Sequence, residues 1–304
     1  VTGCFNEEDN VILLYERVKK AFEQLPNYRL ELTYIDNAST DKTVEQLRAI
    51  AAQDKRVKVI INTRNFGPIR SGYHAFIQAP GDAVVGLVSD LQEPPELIPE
   101  MVKRWENGAM IVMGVKTKSK ENKIVYSLRT LYYRLLNYIT GVELIEHFNG
   151  FGLYDQRVMT ELRRLDDCYP YVRGLVSELG FKPSIIEFEQ PKREHGKSKI
   201  NLFALYDIAM LGLTTHSIAP MRIATISGLV LAFLNLMVAL YYLIYKLVYW
   251  SSFDTGLAPL VIGMFVMFSV ILVFIGLLGE YVHAALRQIQ HRPLVIEKER
   301  INFD

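Results

Sequence analysis

The chain has 304 residues, 50% of them hydrophobic and 22% charged, and its 34 basic and 33 acidic side chains leave a formal net charge of +1. That balance excludes the basic footprint of a nucleic-acid-binding domain, and the two cysteines, Cys4 and Cys168, lack metal-ligand spacing and read as reduced thiols. The apolar residues are unevenly spread: Ile223 to Tyr245 and Leu257 to Leu278 carry no charge and are each long enough to cross a ~30 Å hydrocarbon core, so the pattern predicts an α/β domain followed by two transmembrane helices.

In chain order, Val1 to Cys4 reads as the end of a first strand. Val1 is not an initiator methionine, so that strand is expected to be clipped at its start. Phe5, Asn6, Glu7, Glu8 and Asp9 follow, then a helix bearing Val11, Leu14, Val18 and Phe22; the acids either decorate the helix N-terminus or face a ligand. Leu30 to Ile35 is a second strand that runs into Asp36-Asn37-Ala38-Ser39-Thr40-Asp41, where Ser39 or Asp41 can cap the helix through Ile50. Capping does not account for Asp36. Val57 to Ile61 is a third strand, leading to Arg64-Asn65-Phe66-Gly67, an ordinary turn or a ligand loop.

Val84, Val85, Leu87 and Val88 read as a strand buried on both faces, because the run is short, β-branched and not alternating. Ser89, Asp90 and Gln92 end it, and Pro94, Pro95 and Glu96 suit a first helical turn, with Gly108 as the helix stop. Strand, loop and helix repeating in this way predict a mostly parallel sheet wound on both sides, with ligands in the crevice beyond the strands' carboxyl ends.

Met110 to Val115 is a further strand closed by Lys116, and Ser127 to Thr140 has a leucine-rich helical face that either packs on the sheet or lies on a bilayer. Asn149 to Gly152 reads as a flexible approach to Leu153-Tyr154-Asp155, with a helix from Arg157. Lys182 to Glu189 returns to a strand pattern. The loop Pro191 to Ile200 is either a topology signal or, with Gly196, Ser198 and its cations, a phosphate cradle. Arg193, Lys197, Lys199 and Arg222 precede the first span, Arg287, Arg292, Lys298 and Arg300 follow the second, and the link Trp250 to Gly256 has no cation, which puts both ends in the cytoplasm. The expected boundaries are 1–200 for a cytosolic domain, 201–222 for a juxtamembrane amphipathic helix, 223–285 for two transmembrane helices and 286–304 for a cytosolic tail.

Phe5-Asn6-Glu7, Asp36-Asn37-Ala38-Ser39-Thr40-Asp41, Arg64-Asn65-Phe66-Gly67 and Ser89-Asp90-Leu91-Gln92-Glu93-Pro94-Pro95-Glu96 together resemble the inverting GT-A family 2 glycosyltransferases, and more narrowly those acting on polyprenyl phosphates. The resemblance extends to the paired C-terminal spans and to Arg292-Pro293-Leu294. It implies a GT-A, Rossmann-like fold, a nucleotide-sugar donor, a polyprenyl phosphate acceptor and a bacterial inner-membrane enzyme. The donor would be held by Phe5, Asn6, Glu7, Asp36, Asn37, Arg64, Asn65, Gly67, Ser89 and Lys116, with Mg²⁺ or Mn²⁺ on Asp90 and Gln92. Arg129, Arg193, Lys197, Ser198 and Lys199 would receive the acceptor phosphate, and the bacterial members favour UDP-glucose.

Catalysis would fall to Asp90, Arg129 and Asp155, the last either orienting acceptor or sugar, or capping a helix. Two positions depart from the family: Val88 stands where the first acid of an Asp-x-Asp cluster is expected, and Asn37 where an Asp-Asp pair has its second. A processive synthase is disfavoured because Arg104-Trp105 lacks the glutamine of the Gln-x-x-Arg-Trp signature. A GDP-mannose or amino-sugar donor, or a tethered binder without catalysis, is the competing reading. Gly228, Gly263 and Gly276 permit the close helix packing of a homo-oligomer.

Overall fold

The computed structural model describes residues 1–118, 148–165, 167, 170–191, 210–211, 219–249 and 257–303. The expected Ser127–Thr140 helix with Arg129, the loop carrying Arg193, Lys197, Ser198 and Lys199, most of the expected 201–222 helix and the Trp250–Gly256 link lie outside the described residues. The chain divides into two compact units, Val1–Tyr206 with Arg287–Asp304, and Asp207–Leu286.

Among the described residues of the first unit eight strands form one sheet: β1 (Thr2–Cys4), β2 (Leu32–Asp36), β3 (Val57–Asn62), β4 (Ala83–Val88), β5 (Ile111–Lys118), β6 (Phe148–Asp155), β7 (Ser184–Glu189) and β8 (Glu297–Ile301), in the order β7-β5-β6-β4-β1-β2-β3-β8. Strands β3, β2, β1 and β4 run parallel, as the alternation of strand and helix predicts. β6 enters antiparallel between β4 and β5, and β8 lies antiparallel on β3. The sheet is therefore mixed.

Among the described residues six helices cover the sheet: α1 (Val11–Phe22), α2 (Thr43–Gln53), α3 (Pro68–Gln78), α4 (Ile98–Glu106), α5 (Gln156–Arg164) and α6 (Val172–Glu178). Val11, Leu14, Val18 and Ala21 recur at helical spacing and are the residues α1 buries. With α2 and α4 they enclose one core against Leu32, Tyr34, Val59, Leu87, Phe151 and Leu153. On the other face Tyr73 and Phe76 of α3, Val158 and Leu162 of α5 and Leu175 of α6 pack on Val84, Ile111, Met113 and Tyr154. Each fully buried aliphatic side chain contributes about 1.5–3 kcal/mol. Gly108, at φ +95°, ends α4 where expected.

Three expectations are corrected. Asn149–Gly152 is no flexible approach: it is the first half of β6, and its glycine has a packing reason, since a Cβ on Gly152 would stand 2.4 Å from the Val112 carbonyl oxygen. Val88 is not buried on both faces but 38% exposed, because β4 ends there at the rim. The tail beyond the second apolar run is part of the sheet, through β8. Asn302 follows that strand, and its amide donates to the carbonyls of Ala51 and Val57 (both 2.8 Å).

The second unit holds α7 (Ala219–Val248) and most of α8 (Leu257–Ile289). Pro220–Val238 and Val266–Ile289 are long and apolar enough to cross a membrane, and neither is buried by the chain's own fold. Asn235, the polar residue midway along α7, donates to the Leu231 carbonyl (2.7 Å) and to Met267 Sδ of α8 (3.3 Å).

Candidate active site

Parallel strands β1 to β4 end at one edge of the sheet, with Cys4 level with Asp36, Asp36 with Ile61, and Gly3 with Val88. The loops leaving this rim carry Phe5, Asn6 and Glu7, then Asp36 and Asn37, then Arg64, Asn65 and Gly67, then Ser89, Asp90 and Gln92. β5 runs the same way as β4, with β6 between them, so Lys116 near its end joins the same edge. These residues, scattered over more than a hundred positions, are brought together.

The first two loops lock each other. Asn6 N–H donates to Ser39 Oγ (2.8 Å) and Asn6 Oδ1 accepts from Thr40 N–H (2.7 Å). Glu7 N–H donates to Thr43 Oγ1 (2.9 Å), and Glu7 Oε2 accepts from the Asn10 amide (2.6 Å). Glu8 and Asp41 exchange bonds: Asp41 Oδ2 accepts from Glu8 N–H (3.3 Å), and Glu8 Oε2 accepts from Lys42 N–H at the start of α2 (3.0 Å). Neither Ser39 nor Asp41 is the N-cap of α2, which is Lys42; Asp41, just before it, accepts the Thr43 N–H on its Oδ1 (3.0 Å), while Ser39 binds Asp36 through both its N–H (2.9 Å) and its hydroxyl. Burial pushes the Asp36 carboxyl above its ordinary value, against the opposing pull of those two Ser39 bonds.

The Asn37 side chain ties the second rim loop to the third. Its Oδ1 accepts from Asn62 Nδ2 (3.2 Å) and Phe66 N–H (2.9 Å), and its Nδ2 donates to Asn65 Oδ1 (2.8 Å), so the side chain is spent inside the protein. An aspartate could not make the last bond, which accounts for asparagine here. Asn65 Oδ1 also accepts from Gly67 N–H (2.8 Å), fixing the turn in which Gly67 takes φ +86° before Pro68 opens α3. Arg64 stacks 3.9 Å from the Phe66 ring centroid.

After β4, Ser89 Oγ donates to the Gly3 carbonyl (3.0 Å), and Asp90 Oδ1 accepts from Gln92 N–H (3.1 Å). Asp90 is 8% exposed at the rim. Glu93, 1% exposed, turns inward and accepts the Val88 N–H (2.8 Å), so it braces the Asp90 turn. Asn6, Ala38 and Leu91, one on each of three rim loops, take left-handed φ of 54°, 61° and 60°. Such non-glycine strain concentrates where surrounding bonds over-determine a binding surface.

Asp155 is not at this rim. β6 runs antiparallel to β4, so its last residue is level with Ala83, the first of β4. Its Oδ1 caps α5 by accepting Arg157 N–H (2.8 Å) and its Oδ2 accepts the Trp105 indole N–H (2.7 Å). Of the two readings of Asp155, the capping one matches these bonds. The inward acid Glu93, and Thr43 and Asn62 as loop anchors, were not singled out from the sequence; a glutamate directly before two prolines was the one available signal.

Comparison with known proteins bears on the whole rim. The family model described as Glycosyl transferase family 2 matches residues 1–163. Over its full length the chain is 33% identical to an uncharacterised glycosyltransferase, YkcC, of Bacillus subtilis (strain 168), covering 94% of that protein. It is 29% identical to the bactoprenol glucosyl transferase of Shigella phage SfV, over 98% of this chain and 97% of the relative. Among solved structures, glucosyl-3-phosphoglycerate synthase from Mycobacterium tuberculosis overlaps 70% of this chain and 76% of its own at a TM-score of 0.45 and 20% identity. The family match takes in every strand from β1 to β6 and all the rim loops described above, and on that span the chain belongs to glycosyl transferase family 2, its mixed α/β sandwich being the GT-A fold of a glycosyltransferase.

Proposed function

We propose that the protein is a membrane-bound inverting glycosyltransferase that moves glucose from UDP-glucose to a polyprenyl phosphate at the cytoplasmic face. The observation that carries this reading is the extent of the similarity to a bactoprenol glucosyl transferase: it covers 98% of the chain, through both long apolar helices, instead of stopping with the family match at residue 163. α7 and α8, of 30 and 33 residues, measure about 45 and 50 Å, enough to cross a ~30 Å core. β8 pairs with β3 in the same sheet, so the chain on either side of the two helices lies on one side of any membrane they cross, as a helical hairpin requires.

In this reading Phe5, Asn6, Glu7 and Asp36 line the nucleotide, and Arg64, Asn65, Gly67, Ser89 and Lys116 the diphosphate side. Arg129, Arg193, Lys197, Ser198 and Lys199 receive the acceptor phosphate on the strength of the sequence resemblance. A lipid phosphate monoester has its second pKa at about 6, so at neutral pH it attacks as a dianion. One of its oxygens forms the new bond to the anomeric carbon from the face opposite the breaking bond, and the nucleoside diphosphate departs with the electron pair. No proton is removed from the nucleophile. A general base at the rim is therefore unnecessary, in keeping with Asp155 serving at the other edge, and catalysis rests on positioning and charge neutralisation.

Among the described residues no group of three or more histidines, cysteines, aspartates or glutamates gathers to hold a metal. Asp90, with Gln92 beside it, fits the sparse set of one carboxylate plus phosphate oxygens and water that Mg²⁺ or Mn²⁺ takes when it arrives with a diphosphate. Such a cation offsets the charge that builds on the leaving group. With Val88 in place of a first acid and Glu93 bound to the Val88 N–H, Asp90 is the carboxylate of that turn that this reading assigns to the cation.

The test is incorporation of radiolabelled sugar into solvent-extractable lipid, using the full chain, undecaprenyl phosphate and Mg²⁺ or Mn²⁺, with UDP-glucose, GDP-mannose and UDP-N-acetylglucosamine compared. Labelled lipid with inverted anomeric configuration from UDP-glucose supports the proposal. Label from another donor replaces the sugar assignment, and label from none leaves a tethered binder.

A further inference from the structure

We propose that Arg70, together with the segment Pro293–Ile296 that follows α8, positions the rim loop Thr63–Gly67 for the donor diphosphate; this deepens the reading above and rests on it. The loop is held from two sides. On the inner side Asn37 accepts the Phe66 N–H and donates to Asn65 Oδ1, as described. On the outer side Thr63 donates both its N–H (2.9 Å) and its hydroxyl (3.1 Å) to one carbonyl, that of Ile296.

Arg70 lies in the first turn of α3. Its Nη2 donates to the Pro293 carbonyl (2.6 Å), and its guanidinium sits 5.4 Å from the centroid of the Phe66 ring. The same ring carries Arg64 at 3.9 Å, and Arg64 Nη1 donates to the Asn65 carbonyl (3.1 Å). The segment supplying those carbonyls is itself fixed: Val295 is buried, Leu294 packs against the core on the α3 face, and His74 Nε2 lies 2.5 Å from Glu297 Oε1 at the start of β8. The chain of contacts runs from a packed backbone through Arg70 to Phe66 and on to Arg64, the exposed cation that faces the proposed diphosphate. Two guanidiniums around one ring also raise the local positive potential where an anion is to bind.

Arg70 touches no reacting atom in this account and is a positioning residue. Its loss should free the ring, loosen Arg64 and weaken donor capture while leaving the chemical step intact once donor is bound. For Arg70→Ala in the full chain in nanodiscs, the expected result is a rise of about 10-fold in KM for UDP-glucose with kcat within about 2-fold. Amide exchange at Phe66 and Gly67 should accelerate by a similar factor, roughly 10-fold, while β2 stays protected. Arg70→Lys should recover most of the KM, since an ammonium can still donate to Pro293 and sit by the ring. Phe66→Leu, which keeps the Arg70–Pro293 bond, should repeat the KM effect and serves if Arg70→Ala does not fold. Unchanged exchange at Phe66 and Gly67, or a fall in kcat at constant KM, overturns the inference while leaving the proposed activity standing. A wild type that transfers no sugar from any nucleotide donor overturns the proposed activity and the donor half of this inference; the exchange arm then judges Arg70's hold on the loop by itself.

Discussion

Asp90 and Asp155 close or follow neighbouring strands, yet they stand at opposite edges of one sheet. β4 and β6 pair antiparallel from Ala83–Asp155 to Gly86–Gly152, so Asp155 lies five residues, about 16 Å, back along the ladder from the end of β4. At one edge an aspartate follows the end of a strand, accepts the Gln92 N–H within its own turn, and shares its rim with left-handed residues on three loops. At the other edge an aspartate in the same kind of sequence setting, apolar strand before and helix after, has one oxygen on a helix N–H and the other on an indole. Strand direction, which neither residue's neighbours in sequence disclose, separates a carboxylate at the loop-bearing rim from a helix-capping one at the other edge.

The contrast is broken most severely at Asp90. Asp90→Asn should lower metal-dependent transfer by at least about a hundredfold in kcat/KM, read as labelled lipid at saturating Mg²⁺; normal turnover would remove Asp90 from the chemistry. The ladder that sets the contrast can be attacked directly. Gly152→Ala drives a methyl against the Val112 carbonyl and should cost about 2–3 kcal/mol, seen as a lower thermal unfolding midpoint; an unchanged midpoint would mean β6 is not packed as described.

A smaller loss, about 1–3 kcal/mol, is expected for Asn37→Asp, which forfeits the donation to Asn65, sets a carboxylate oxygen against the Asn65 Oδ1 acceptor and buries a charge. Asp155→Ala sharpens the contrast, because it should cost only about 1–2 kcal/mol of stability through the lost cap and indole bond. Its kcat/KM should stay within about threefold, and loss of transfer with an unchanged midpoint would return Asp155 to the active site.

The least effect is expected from pH. Arg300 foremost, with His74, holds the Glu297 carboxyl below its ordinary value of 4.5. A depressed carboxylate stabilises the fold above the unfolded value and loses that contribution as pH falls through the folded one. The protection of β8 amides against exchange, taken relative to the intrinsic rate at each pH, should therefore fall as the pH drops below 4.5, and Glu297→Gln should remove that dependence.

Much of the rim was legible because physics writes it locally. β2, β3 and β4 announce themselves as short apolar runs that stop at polar residues, and parallel βα units put such stops on one edge. Gly108 marked the end of α4 for a conformational reason that a sequence displays. What stayed hidden depends on partners far along the chain. Gly150 and Gly152 suggested flexibility, yet Gly152 is there so that β5 can approach. Glu93 looks like one more acid in an acidic motif until its carboxylate is seen to accept a backbone N–H. Asn37 looked like a weakened acid, and its amide proves to need the donor that an acid lacks. β8 was invisible because Glu297 to Ile301 is mostly charged, as an outermost strand with one solvated face can be.

That outermost strand ties the order of assembly to the order of synthesis. β3 presents an open hydrogen-bonding edge until Glu297–Ile301 arrives, and those residues leave the ribosome only after both long apolar helices. The sheet therefore cannot be completed before both long apolar helices have been synthesised, and a nascent chain cut short between Leu257 and Glu297 would be left with a bare strand of the kind that recruits other chains into aggregates.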